Sequence, residues 1–143
     1  STSVGDEGGF APMISSNEKA LELIIQAINK SGYKNGKDIS ICLDVAANEL
    51  TKIKRGRNCI SWNYSVKSKK YEDATKTIEY YLKLIKNYKI KSIEDPFHED
   101  DKLSWLILTS KTTYYSRRTF EIIGNTQIVG DDIFATNKDR LFY

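Results

Sequence analysis

Asp44, Glu94 and Asp131 each close a short apolar run, "ISICLD", "IKSIE" and "QIVGD". Their spacing is about that of one strand–helix unit apiece. If the runs are parallel strands, the acids emerge at the strands' carboxyl ends, which in a parallel barrel open onto one face. Unpaired carboxylates brought together repel, and a hard divalent cation is the ordinary remedy. An oxygen-only set with few protein ligands and open positions suits Mg2+. Taken singly, each acid also reads as a turn or N-cap residue. "EDP" is by itself a turn, and "GDEGG" a glycine-rich one. What distinguishes the metal reading is that all the acids fall at the same end of successive strands.

The elements that must position them alternate. Ser15-x-x-Glu18 has the pattern of a capping box, followed by Leu21, Ile24, Ile25 and Ile28 at helical spacing and closed by Gly32. This predicts a helix near 16–30, then a strand at 39–43. Residues 50–70 are mixed, with "NCISWNYSV" alternating like a hairpin strand. A second helix is expected at 71–88, with Ile78, Tyr81, Leu82 and Ile85 on one face, then a strand at 90–93. Asp100 or Asp101 can cap a third helix at 101–111 carrying Leu103, Leu106 and Ile107. A loosely patterned basic segment leads to a strand at 127–130. Helix and strand alternation implies parallel strands in an α/β fold, either an open doubly wound sheet or part of a (β/α)8 TIM-type barrel. Three units are too few to close a barrel, which needs about 250 residues. Such a partial barrel leaves open edges and uncovered apolar surface, so marginal stability or aggregation is expected of the piece alone.

Composition excludes several classes. Of the 143 residues 40% are hydrophobic and 29% charged, which does not suggest disorder, and a net charge of +3 does not by itself indicate nucleic acid or an anionic membrane. No apolar run approaches the length of a membrane span, and residues 1–14 lack the pattern of a secretory leader. Cys42 and Cys59 lack metal or redox spacing and read as free thiols in a reducing compartment. His98, the sole histidine, reads as a solvent-facing loop residue. The Lys/Arg run at 52–57 and "KSKK" at 67–70 read as a solvated hairpin.

"VGDEGGFAP" (4–12), "LDVAANE" (43–49), "SIEDPF…EDD" (92–101) and "VGDDIFATN" (129–137) together resemble segments of the enolase family, in the same order. The mandelate racemase and muconate cycloisomerase groups also place acids on successive strands, but lack the first and last of these strings. The resemblance implies that residues 1–143 are one fragment of an enolase-type barrel domain, with an N-terminal domain and the rest of the barrel absent. It implies a lyase that reversibly dehydrates 2-phosphoglycerate to phosphoenolpyruvate in glycolysis. Asp44, Glu94 and Asp131 then match the Mg2+ ligands, Glu94 and Asp131 also face substrate, and Glu7 matches the acid that protonates the departing hydroxyl. A Lys or His base is a general feature of the superfamily rather than a reading of these residues. By the family pattern the Lys lies beyond Tyr143. The partner acid of Glu7, a substrate His and the Arg and Ser-loop phosphate contacts also fall outside 1–143. The resemblance further implies a cytoplasmic homodimer, with no nucleic-acid partner and no membrane span. "AANEL" departs from the family's usual Ser-Glu-Phe style ending. Two alternatives stay open: a truncated, inactive enolase-derived fragment, and a basic module binding anionic polymer through 52–70 and 110–118.

Overall fold

The computed structural model describes residues 3–5, 8–57, 59–67, 69–113 and 126–142. Helix α1 (Asn17–Lys30) starts at Ser16, whose side chain accepts from the Lys19 amide at 3.2 Å. The cap is thus one residue later than the capping-box spacing suggests, and Glu18 sits inside the first turn, where a carboxylate favours the positive helix end. Gly32 ends the helix as expected. Its φ of +84° lets the Tyr33 amide reach the Ile28 carbonyl and its own amide reach that of Asn29. Leu21 and Ile28 are buried, but Ile24 is 46% exposed.

Strand β1 (Ile41–Asp44) follows. Next comes a small antiparallel sheet of β2 (Thr51–Arg55), β3 (Ile60–Tyr64) and β4 (Glu72–Asp73). Helix α2 (Ala74–Tyr88) begins later than the expected 71 because Glu72 and Asp73 are taken into β4, and Asp73 then caps it by accepting from the Lys76 amide. Its buried face is Thr77, Ile78, Tyr80, Tyr81 and Leu84; Leu82 and Ile85, expected there, are half-buried. Strand β5 (Ile90–Glu94), helix α3 (Lys102–Thr112), strand β6 (Gln127–Val129) and a 3-10 turn (Lys138–Phe142) complete the order.

The strands β1, β5 and β6 form one parallel sheet in the order β1-β5-β6. Within the described residues the architecture is therefore a partial α/β barrel sheet backed by helices, and it does not close. Leu43, Ile93 and Ile128 lie in one register row and pack with the helices, with Ile93 fully buried. The alternate row, Cys42 with Ser92 and Asp44 with Glu94, has the opposite face, as a strand's two-residue period requires. Cys42 and Cys59 are free and exposed.

Of the apolar residues that α3 carries, Ile107 is half-buried against the core. Leu103 and Leu106 are 66% and 67% exposed, whereas Leu108 is fully buried. Apolar residues spread round this short helix, so spacing alone selects no face. An aromatic cluster lies between α2, β3 and the segment after β5. Tyr64 and Tyr81 each meet the Phe97 ring edge-on, at 5.3 and 5.6 Å, and the Tyr81 hydroxyl donates to the Pro96 carbonyl at 2.8 Å. These contacts fix the "EDPF" corner that carries Glu94.

Candidate metal centre

Asp44 and Glu94 are register partners at the ends of β1 and β5, so the sheet ladder itself brings them side by side. Pairing runs on past both strands: the Val45 amide donates to the Glu94 carbonyl and the Ala47 amide to that of Asp95. Oxygen atoms of Asp44, Glu94 and Asp95 all lie within 4.8 Å of one another. Hard carboxylate oxygens so grouped are the donor set a Mg2+ or Ca2+ ion prefers.

Asp131 stands at the same end of the sheet, two residues beyond β6, and is exposed. Its spacing predicts that it joins Asp44 and Glu94; the close group instead contains Asp95, and Asp131 stands beside it. Its charge still reaches Glu94. Partial desolvation, then the charges of Asp44, Asp95 and Asp131, raise the Glu94 pKa above the ordinary carboxylate range. Asp132 is raised too, by desolvation first and then by Asp95, Asp131 and Glu99, against a hydrogen bond from Asn48. The expected proton donor, Glu7, lies outside the described residues.

Asp95 is the member whose place in "EDP" reads in the sequence as a turn residue. A strand's alternation sends neighbours 94 and 95 to opposite faces, yet Asp95 adopts φ +40°, and this left-handed bend returns its carboxylate to the site. It is 4% exposed and accepts from the Asp131 and Asp132 amides, each at 3.0 Å. Asn48 ties three loops together. Its amide group donates to Asp132 at 3.1 Å, and its carbonyl accepts from the Glu99 amide at 3.1 Å. At the rim Arg140 binds Glu99 and Asp100 at 3.1 and 3.3 Å.

His98 is not solvent-facing. It is half-buried and stacks on Trp62 with ring centroids 4.7 Å apart, while its Nδ1 accepts from the Asp100 amide. The Tyr64 hydroxyl accepts from the His98 amide and donates to Asp101 at 2.7 Å. Burial, then the Asp101 hydrogen bond and charge, push the Tyr64 pKa far up, so it stays a neutral donor. Asp101 caps α3 by accepting from the Ser104 amide. No spacing in the sequence joins β3 to this loop.

A parallel β/α-barrel sheet with an acidic, cation-type centre at its carboxyl ends describes a broad class of barrel enzymes. Comparison with known proteins is narrower. A family profile described as "Enolase, C-terminal TIM barrel domain" matches residues 1–142. The chain is 56% identical over 141 residues to the enolase of Pelagibacter ubique (strain HTCC1062), covering 99% of this chain and 29% of that relative. The chain belongs to the enolase family, within its C-terminal TIM-barrel domain. It spans less than a third of the length of that relative.

Proposed function

We propose that this chain supplies the metal-binding strand ends of a Mg2+-dependent enolase that reversibly dehydrates 2-phosphoglycerate to phosphoenolpyruvate. The observation that carries the reading is the pairing of Asp44 with Glu94 in adjacent strands, their carboxylates grouped with that of Asp95. Membership of the enolase family supports this choice of substrate, and the proposal extends to a glycolytic role, a cytoplasmic location and a homodimeric full-length enzyme. Asp44, Glu94 and Asp131 would hold Mg2+, whose charge offsets the charge that builds on the substrate carboxylate as C2 loses its proton.

The chain's own residues have separable tasks. Glu7 gives its proton to the 3-hydroxyl, which leaves as water while the C2 electron pair forms the C2–C3 double bond. Glu7 must be protonated to do so, and neighbouring acids and burial are the ordinary means of keeping a carboxyl neutral. The aromatic cluster of Tyr64, Tyr81 and Phe97 holds the Glu94 corner rigid, which limits the misplacement that erodes a reactive geometry. The C2 base is assigned to a Lys outside 1–143, so the 143-residue piece alone is expected to be inactive.

In the complete chain carrying this segment, solvent deuterium exchange at C2 should be measured beside product formation. Glu7→Gln should lower dehydration by about 10²–10⁴-fold while largely sparing exchange. Asp131→Asn should suppress both and weaken metal binding. Equal loss of exchange and dehydration in Glu7→Gln would mean that the acid is wrongly assigned.

A further inference from the structure

Asp44 and Glu94 are held by ladder hydrogen bonds, because each is the last residue of a paired strand. Asp131 has no such support: β6 ends at Val129, where it pairs with Glu94. Beyond that point the chain is held by the side chain of Asp95. The Asp95 amide donates to the Val129 carbonyl at 3.0 Å, and its two carboxylate oxygens accept, one each, from the Asp131 and Asp132 amides. We propose, building on the metal-centre reading above, that Asp95 is a positioning residue which sets Asp131 toward the cation, rather than being itself a ligand.

Three observations favour this over direct ligation. Asp95 is 4% exposed whereas Asp44 and Asp131 are exposed, so its carboxylate faces protein while theirs face the opening. Both its oxygens are already engaged by backbone donors that belong to the very turn in question. The turn is also closely packed. A Cβ added at Gly130 would stand 2.3 Å from Ile133 Cγ2 and 3.0 Å from the Phe134 ring, so any larger residue forces these side chains, or the backbone of the turn that carries Asp131, to shift. Asp95 thus does for Asp131 what the missing strand pairing would have done.

The test is a double-mutant cycle on Mn2+ affinity in the complete chain, read by the spin-resonance signal of free Mn2+, with near-ultraviolet dichroism reporting the fold. Asp95→Asn keeps the shape but offers one carbonyl oxygen and turns an amide N–H toward the other backbone donor. It should weaken Mn2+ binding by about 10–100-fold, as loss of an outer-shell partner does. In an Asp131→Asn background the same change should weaken binding by no more than about threefold, because residues acting through one another are not additive. Gly130→Ala disturbs the turn without altering any charge. It should weaken Mn2+ binding in the same direction and show the same coupling, and it serves if Asp95→Asn fails to fold. Full, additive losses from Asp95→Asn and Asp131→Asn would make Asp95 a ligand and overturn the proposal, as would unchanged affinity in Gly130→Ala. Asp44→Asn separates the two readings. If it weakens binding while the coupling is absent, only the role of Asp95 falls; if it leaves binding unchanged, the metal centre falls and Asp95's role with it.

Discussion

At the carboxyl ends of β1 and β5, Asp44, Glu94 and Asp95 crowd together, and the site raises the pKa of Glu94. In the β2–β3–β4 sheet the basic charge sits on β2 and is treated the other way. Lys52, Lys54 and Arg55 point to solvent, and the Lys52 ammonium lies 5.8 Å from the Tyr71 ring centre. What this second sheet sends inward is aromatic: Tyr64 reaches the loop after β5 and holds both His98 and Asp101. Among the described residues, carboxylates therefore gather at the strand ends and in the turns just beyond them, whereas the cations of β2 are left to solvent. Crowding like charges costs stability, so the acidic end is where function, not folding, sets the residues.

Variants of the two regions should separate along this line. The largest effect is expected from Tyr64→Ala, which removes a side chain 1% exposed and should cost about 3–5 kcal/mol in chemical denaturation. Tyr64→Phe keeps the packing but strands Asp101 and the His98 amide, a loss of about 1–3 kcal/mol. If the two substitutions cost the same, the sheet contributes through its polar links alone.

At the acidic end the sign should reverse. The Glu94 pKa is raised in the folded state, so its linked stability is present below the ordinary carboxylate range and lost as pH rises through the folded value. Glu94→Gln should therefore be more stable than the parent at neutral pH in chelator, with the gain vanishing in acid. Thermal unfolding between pH 3 and pH 8 reads this directly. The smallest effect belongs to the hairpin surface: Lys54→Ala should change stability by no more than about 0.5 kcal/mol.

The parts of this arrangement legible in the sequence are those governed by local periodicity. The parallel strands, their terminal acids and the α1 and α2 spans follow from runs and caps within a few residues of each other. The antiparallel hairpin was visible only as the alternation of "NCISWNYSV". What escaped depends on contacts between distant segments. Asp95 joins Asp44 and Glu94 because a left-handed turn breaks strand alternation, and nothing in a two-residue period signals that turn. His98 stacks on Trp62 from β3, and Tyr64 meets Asp101, across 34 or more residues of sequence. Helix α3 has apolar residues on several sides, so its buried face is chosen by α2 and β6 rather than by its own pattern.

The central claim is that the strand ends, and not the basic hairpin, make a divalent-cation site. Mn2+ titration of the complete chain, followed by the loss of the free-ion spin-resonance signal, tests it most directly. Asp44→Asn and Glu94→Gln should each weaken binding by at least about tenfold, since even outer-shell partners cost that much, while Lys54→Ala leaves it unchanged. Equal affinity in all three variants would contradict the account.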